Sequence, residues 1–199
     1  MKERPALHSP DPPPHDPDPP PHDPLRVVVI ADTHLRRSWP NRRLPDTAVR
    51  ILATADVILH AGDITQPEHL DELARHAPLH AVLGNNDPEL VGRLPETLQL
   101  ELAGVRIAMI HDSGPARGRE RRLHEWFPDA DVVVFGHSHI PWNAPGEAGQ
   151  LLFNPGSPTE RRRQPHRTIG VLELADGRVL DARIEVVDDG TSASRPSRP

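Results

Sequence analysis

The chain has 199 residues, contains no cysteine and carries a formal net charge of −6 at pH 7. This length suits one domain of ordinary size with tails, and the lack of cysteine excludes disulfide bonds and thiolate metal sites. The acidic balance argues against a nucleic-acid partner, and without an apolar leader or an apolar run of about 18 residues we expect a cytoplasmic protein that does not enter membranes.

Proline-rich sequence fills the first 24 residues, which repeat Asp-Pro-Pro-Pro-His-Asp-Pro at Asp11–Pro17 and again at Asp18–Pro24. Such a segment lacks the apolar residues needed for a core, so we expect a disordered, extended tail over residues 1–24. The polar stretch 188–199 is expected to form a second disordered tail. One folded domain, residues 25–187, is predicted between them.

Apolar runs rich in β-branched residues predict buried strands in the first part of this domain. Two stretches with helical character, Asp46–Thr54 and Glu68–Arg75, separate the first three of these strands. Strands that alternate with helices predict βαβ units, in which a parallel sheet places its ligand sites at the carboxyl edge. The predicted strands are Val27–Ala31, Val57–Leu59, Leu79–Leu83, Ile107–Ile110 and Val132–Phe135.

The remainder of the domain contains mostly strands. Leu98–Leu102 and Val105–Ile110 flank Ala103-Gly104, which predicts a tight hairpin. A helix is predicted at Arg119–Phe127, and Asp176-Gly177 is expected to turn the chain between the last two strands. Two packed sheets flanked by helices accommodate this order. The final predicted strands are Leu151–Phe153, Thr168–Leu174 and Val179–Val187.

Short polar motifs follow five of the apolar runs. In an extended strand end, Asp32 and His34 point to the same side and can share one ion. The carboxylate of Asp63 has two oxygens with which to bridge two cations. Nitrogen and oxygen ligands without sulfur suit Mn, Fe, Zn, Ni or Co better than Ca. The motifs are Asp32-Thr33-His34, Gly62-Asp63, Gly84-Asn85-Asn86-Asp87, His111 and Gly136-His137-Ser138-His139.

The ordered motifs, closed by Asn154-Pro155-Gly156-Ser157, resemble those of the calcineurin-like metallophosphoesterase superfamily, and in particular its small bacterial and archaeal phosphodiesterases. The resemblance runs from about Leu25 to Val187 and implies an α/β fold, a four-layer αββα sandwich of two mixed β-sheets flanked by helices. It also implies two divalent metal ions, with manganese as the first expectation and Fe, Zn, Ni or Co as alternatives. The implied ligands are Asp32, His34, Asp63 and His139 for one ion, and Asp63, Asn85, His111 and His137 for the other.

The resemblance implies a phosphodiesterase that acts on a small phosphoester substrate. A hydroxide bridging the two cations would attack phosphorus in line, while the cations neutralise the charge that develops on the phosphoryl oxygens. Two alternatives stay open. One is a protein-binding scaffold like the retromer subunit that shares this fold, and the other is a nucleotide or phosphomonoester phosphatase. Assembly into a homo-oligomer is also left open.

Several positions depart from the family pattern or remain ambiguous. We assign Asn86 and Asp87 to catalysis, and Asn86 with Arg161 to substrate binding. Asn86 stands where monoesterases have a histidine; its amide can donate a hydrogen bond but cannot transfer a proton near pH 7, which favours diesters with good leaving groups. Asp112 replaces a family glycine and is expected to crowd or repel a phosphate. His60 is interpreted either as a group that orients a ligand or as a histidine that merely ends a strand.

Arg161 is the first of three consecutive arginines, Arg161–Arg163. A guanidinium group can clamp a phosphate through two parallel hydrogen bonds, and this is the basis for assigning Arg161 to the substrate. A solvated run of charges is the expected role of the other two.

Overall fold

The computed structural model describes residues 23–35 and 43–188. The two predicted tails lie outside the described residues except for their innermost positions, so they stay predictions. Within the described ranges the chain forms ten strands, three α-helices and two short 3₁₀ turns, Pro88–Leu90 and Glu147–Gly149. The elements are β1 (Leu25–Ile30), α1 (Asp46–Leu52), β2 (Val57–His60), α2 (Pro67–Ala74), β3 (Leu79–Ala81), β4 (Thr97–Leu102), β5 (Val105–Ile110), α3 (Arg119–Trp126), β6 (Val132–Val134), β7 (Trp142–Pro145), β8 (Leu151–Asn154), β9 (Thr168–Ala175) and β10 (Arg178–Val186).

The strands form two five-stranded sheets. The first has the order β10-β9-β1-β2-β3, in which β1, β2 and β3 run parallel and β9 and β10 are antiparallel to their neighbours. The second has the order β4-β5-β6-β8-β7, with β5, β6 and β8 parallel and an antiparallel strand at each edge. Both sheets are therefore mixed, and the parallel strands of each end at a common edge.

Successive side chains of a strand point to opposite faces of its sheet, and this divides the core into layers. In β1, Val27 and Val29 belong to the cluster that fills the space between the sheets, whereas Val28 packs with Leu52 of α1 and Leu73 of α2 on the outer face. In the second sheet, β6 contributes Val132 and Val134 to the same inner cluster and Val133 to an outer cluster with Leu123 of α3. The order of layers is helices, sheet, sheet, helix, which confirms the predicted four-layer sandwich.

The predicted elements are confirmed with small shifts at their ends, and β7 is the one strand that was not predicted among the described residues. Trp142–Pro145 is an edge strand of four residues whose side chains alternate between partly buried and exposed, so it lacks an apolar run. β3 ends at Ala81 rather than Leu83 because the Leu83 amide donates to Pro95 O instead of to β2.

Two hairpin turns meet at the end of the sandwich from which β1 and β5 begin. The amide of Gly177, between β9 and β10, donates to Ala103 O in the turn between β4 and β5, at 2.9 Å. Gly104 and Gly177 both have positive φ, and a Cβ on Gly104 would lie 3.0 Å from Gly177 Cα. Glycine is thus required where the two turns touch.

Candidate metal centre

The polar motifs converge at the opposite end of the sandwich. Asp32 and His34 follow β1, Asp63 follows β2 and Asn85 follows β3, while His111 follows β5 and His137 and His139 follow β6. Because these strands are parallel within each sheet, their carboxyl ends meet at one edge. Ligand atoms of Asp32, His34 and His139 lie within 4.8 Å of one another, and the same is true of Asp32, Asp63 and His111.

The first of these groups is almost completely buried. His34 Nε2 lies 3.2 Å from His139 Nε2 and 3.4 Å from Asp63 Oδ2, and His139 Nε2 lies 3.4 Å from Asp32 Oδ1. The imidazole rings of the two histidines are stacked, with their centroids 5.1 Å apart. Nitrogens of two imidazoles and oxygens of two carboxyl groups therefore face a shared space.

A different set of predicted ligands, His111, Asn85 and His137, lies on the other side of Asp63. His111 Nε2 is 3.5 Å from Asp63 Oδ1 and 3.0 Å from Asn85 Oδ1, and His137 Nδ1 is 2.9 Å from the same Asn85 oxygen. The two carboxylate oxygens of Asp63 thus face different groups, Oδ2 toward His34 and Oδ1 toward His111. This is the geometry that a carboxylate shared by two cations requires.

The backbone at Asp32 and His34 is not extended, so the expected strand-end geometry is wrong. The φ angles are +54° at Asp32 and +45° at His34, and Asp63, His137 and His139 are also left-handed, at +60°, +66° and +59°. For residues other than glycine, this conformation costs about 1–2 kcal/mol each, and it persists where surrounding contacts fix it. The ligands converge through tight left-handed turns.

Asp32 shows most directly what the site can bind. Its side chain is fully buried, and neither carboxylate oxygen has a hydrogen-bond partner among the described residues. Burial raises the pKa of Asp32 to about 8, although the nearby His111 works in the opposite direction. Buried acceptors without donors are rare in proteins, and a cation would satisfy them. The residues present therefore fit divalent metal ions.

The surroundings shift the pKa values of three other predicted ligands. Burial works to lower the pKa of His111, but its contact with Asp63 raises it above the ordinary value. Burial tends to raise the pKa of Asp63, but hydrogen bonds involving His111 and Asn86 outweigh it and hold that pKa below its ordinary value. Burial lowers the pKa of His139 to about 4, which keeps the imidazole neutral at pH 7. Nδ1 of His111 donates to Ala61 O and Nδ1 of His139 donates to Glu160 O, both at 2.7 Å. Each bond leaves Nε2 free to face the site.

Asp87 and Asn86 both act on Asp63. The buried carboxylate of Asp87 accepts hydrogen bonds from the amides of Asp63, Thr65 and Gly84, at 2.9, 2.6 and 2.8 Å. Asn86 donates to Asp63 twice, from its amide to Oδ1 and from Nδ2 to Oδ2, both at 2.8 Å. The described contacts of Asn86 are therefore with a predicted ligand, while its role toward substrate stays a prediction.

Of the three arginines, Arg162 is directed toward the metal centre. Its Nη1 is 3.5 Å from His137 O, and its positive charge favours lower pKa values at both Asp32 and His139. Arg161 instead donates to Gln164 O and Pro165 O, at 2.8 and 3.4 Å, within its own loop. Residue type alone does not indicate which of several consecutive arginines faces the centre, and the assignment of Arg161 to the substrate stays a prediction.

The positions left ambiguous by the sequence have definite places. Asp112 Oδ1 accepts from the amide of Gly114 at 2.7 Å, and Asp112 with Glu96 lines an open cavity of about 300 Å³ beside His111.

His60 is fully buried, and its Nε2 lies 3.1 Å from Oγ1 of Thr33, the residue between two predicted ligands. Burial lowers the pKa of His60 to about 3.

Three residues after β6 support the ligand turns; Asn154 and Ser157 were recognised in the sequence only as part of a closing motif, and Thr159 was not singled out. Ser157 Oγ donates to Asp32 O at 2.8 Å, Thr159 Oγ1 donates to Thr33 O at 2.6 Å, and Asn154 Nδ2 donates to Gly136 O at 2.8 Å. The available signal was the placement of hydroxyl and amide side chains around the turn that follows β8. The pattern does not reveal which backbone groups they bind.

Residues 25–177 match the family model for the calcineurin-like phosphoesterase superfamily domain. The chain belongs to this superfamily. Membership confirms the resemblance carried by the motifs, and it implies a phosphoric ester hydrolase that uses divalent metal ions. A probable metallophosphoesterase of Methanothermobacter thermautotrophicus is 36% identical over 160 residues, which cover 78% of this chain and 89% of that protein.

Two solved structures show the same fold at lower identity. An archaeal phosphodiesterase has a TM-score of 0.63 and 21% identity, with coverage of 81% of this chain and 99% of that chain. Wild-type Vps29 from Entamoeba histolytica, complexed with Zn²⁺, has a TM-score of 0.66 and 24% identity, with coverage of 82% and 99%. Among the described residues, no helix of this superfamily member has the length and apolar character needed to cross a membrane.

Proposed function

We propose that the protein is a two-metal phosphodiesterase. The observation that carries the proposal is a pair of carboxyl groups. The two buried oxygens of Asp32 have no hydrogen-bond partner within residues 23–35 and 43–188, and the oxygens of Asp63 face two groups of ligands. Manganese is the first candidate metal. Asp32, His34, Asp63 and His139 would hold one ion, and Asp63, Asn85, His111 and His137 would hold the other.

When bound, two such ions supply an activated water and neutralise charge on the phosphoryl group. The chain itself orients the ligands: Asp87 fixes the turn that carries Asp63, and backbone carbonyls fix the tautomers of His111 and His139. Arg162, whose Nη1 lies 3.5 Å from His137 O, would hold a phosphoryl oxygen of the substrate. No side-chain nucleophile is needed for this reaction.

The preference for diesters over monoesters rests on Asn86. Its side chain is bound to Asp63 and carries no transferable proton near pH 7, so the leaving group must depart without help from this position. Esters with acidic leaving groups, such as aryl and nucleotide-linked diesters, meet that requirement.

An Asn86→His variant tests this account. We expect it to gain activity on alkyl monoesters while keeping activity on an aryl diester, because histidine can supply the proton that an alkoxide needs. The comparison is the ratio of kcat/KM for the two substrates in each protein. A ratio that does not change from wild type to Asn86→His would contradict the role given to Asn86.

The proposed function is tested by assaying protein loaded with Mn²⁺ or Ni²⁺ against an aryl phosphodiester, with Asp63→Ala as the control. Turnover in the wild type and its loss in the control is the expected result. If the two proteins do not differ, a protein-binding role gains support. That second candidate is favoured by the likeness in fold to Vps29, and it predicts a surface that functions without the metals.

A further inference from the structure

The segment Asn154–Glu160, which begins at the last residue of β8, contacts the turns that carry Asp32 and His139. We infer that this segment, called here the 154–160 segment, determines the metal affinity of the Asp32–His34–His139 side of the centre more than that of the Asp63–Asn85–His111 side. The inference rests on the proposed function in that it takes the two groups of ligands as two metal sites. It makes Ser157 and Thr159 positioning residues.

The first contact is with the left-handed turn after β1. Ser157 Oγ donates to Asp32 O at 2.8 Å, and Thr159 Oγ1 donates to Thr33 O at 2.6 Å and lies 3.4 Å from Asp32 O. Ser157 is 1% exposed and Thr159 is 9% exposed, so water competes little for these carbonyls. Because Asp32 and His34 have positive φ, the two hydroxyls hold the peptide groups where the backbone is strained.

The second contact is with the turn after β6. His139 Nδ1 donates to Glu160 O, and the Glu160 amide donates to Ser157 Oγ at 3.0 Å. One hydroxyl, that of Ser157, thus accepts from Glu160 and donates to Asp32 O. At the other end of the segment, Asn154 Nδ2 donates to Gly136 O and Asn154 Oδ1 accepts from the amide of Gly156 at 2.9 Å. Asp32 and His139 are therefore positioned by the same short stretch.

Different groups hold the Asp63–Asn85–His111 side. Asp87 accepts from the amides of Asp63 and Gly84, and Ala61 O accepts from His111 Nδ1. A Cβ on Gly84 would lie 2.1 Å from the Asp63 nitrogen, so the turns after β2 and β3 are packed directly on each other. The two sides also contact each other, because the amides of Asp32 and His34 donate to Gly62 O and Asp63 O at 2.9 and 3.0 Å. Among the ligand turns, the hydrogen bonds described for the 154–160 segment reach only those after β1 and β6, so its loss should weaken the Asp32–His34–His139 side more than the other.

The test is calorimetric titration of the full-length, metal-free protein with Mn²⁺, followed by electron paramagnetic resonance. Wild type should bind two ions per chain and give a spin-coupled signal. Thr159→Val and Ser157→Ala should each weaken one site by about 10- to 100-fold, the range found for groups that orient metal ligands. When one equivalent of Mn²⁺ is added at a protein concentration above the dissociation constant of the tighter site, these variants should show the six-line signal of an uncoupled Mn²⁺ ion.

Two matched variants complete the design. Thr159→Ser keeps the hydroxyl and should restore Mn²⁺ binding at the Asp32–His34–His139 side. Thr54→Val removes a threonine hydroxyl that also donates to a carbonyl, Ile51 O at 2.7 Å, but at the end of α1, and it should bind Mn²⁺ as wild type does. Circular dichroism of each metal-free variant monitors folding, and Ser157→Ala, the smaller change, serves if Thr159→Val does not fold.

The inference is overturned if both sites weaken equally, if neither weakens, if Thr159→Ser fails to restore binding, or if wild type binds fewer than two ions. Wild type that binds two ions in this pattern but does not cleave an aryl phosphodiester would contradict the proposed function and leave the positioning role intact.

Discussion

At the scale of a residue, the neighbouring arginines Arg161 and Arg162 make different contacts. Arg162 has a φ of +50°, so its backbone is left-handed. Arg161 binds carbonyls of its own loop, while Arg162 reaches toward His137. The sequence predicted that an arginine of the run Arg161–Arg163 binds substrate, but which of them faces the centre depends on the local backbone, which residue type does not reveal.

Replacing Arg162 by glutamine should raise KM for an aryl phosphodiester on the order of 3- to 10-fold and change kcat little, because an exposed charge contributes less than a buried one. Arg161→Gln is the matched control and should resemble wild type. Steady-state kinetics of the three proteins decide the point. If Arg161→Gln has the larger effect on KM, the original assignment to Arg161 is the better one.

Gly84 supports a second prediction at this scale. Alanine there would bring a methyl group to 2.1 Å from the Asp63 nitrogen, so Gly84→Ala should destabilise the protein by about 1–3 kcal/mol and weaken Mn²⁺ binding about tenfold or more. Gly92→Ala is a useful comparison because its Cβ meets nothing within 4 Å although φ is +81°. Thermal unfolding and calorimetry should show a stability cost in both variants and a loss of metal affinity in Gly84→Ala alone.

Among the elements, the central strands and three of the four edge strands were predictable, and the edge strand β7 was not. β1 and β6 are continuous apolar runs because both faces of each sheet are covered, one by the other sheet and one by helices. β7 has one neighbour and ends in proline, so its sequence carries no such run. The positions of the ligands along the chain were predictable because each follows a strand that reads as an apolar run. The conformations of the turns that bring the ligands together depend on contacts between distant segments.

The pairing of β5 with β6 is extended by an exposed ionic contact. Asp131, just before β6, accepts from the amide, Nε and Nη2 of Arg106 at 2.8, 3.1 and 2.7 Å. The hydrogen bond from Arg106 lowers the pKa of Asp131 from its ordinary value of 3.8, with burial working weakly against it. A carboxylate with a lowered pKa stabilises the fold above its ordinary pKa, and this contribution is lost as the pH falls through the folded-state value.

Asp131→Asn should therefore lower the melting temperature at pH 7 by on the order of 1–2 °C, a small effect because the pair is exposed. The difference from wild type should shrink once the pH falls below about 4. Melting curves of both proteins at pH 7, 5 and 3 measure it. A difference that stays constant over this range would show that the charge of Asp131 does not contribute.

At the scale of the whole molecule, the candidate metal centre joins the two sheets. Asp32, Asp63 and Asn85 come from the first sheet, and His111 and His139 come from the second. Bound ions would therefore add to the apolar packing and to the hydrogen bonds, such as that from His111 Nδ1 to Ala61 O, that already join the two sheets. Stability and metal binding are coupled in such an arrangement, because the unfolded chain has no formed site.

Adding Mn²⁺ at about 100 times its dissociation constant should stabilise the folded protein by about 2.7 kcal/mol per site. Asp63→Ala should lose most of this effect because Asp63 faces both groups of ligands. The measurement is the unfolding midpoint with Mn²⁺ and again after a chelator is added. An equal shift in wild type and Asp63→Ala would place the bound metal elsewhere.

The hydrogen bond between Gly177 and Ala103 gives the sandwich two unlike ends. One end is closed by two touching glycine turns. The other joins the sheets through hydrogen bonds such as that from His111 Nδ1 to Ala61 O, but it also holds the buried Asp32 oxygens, which have no partner in the described part of the chain. We expect the metal-free protein to open first at the end with Asp32, because a buried carboxyl group without a partner destabilises that end. Amide hydrogen exchange along β5 should then accelerate from Val105 toward Ile110, and bound metal ions should remove that gradient.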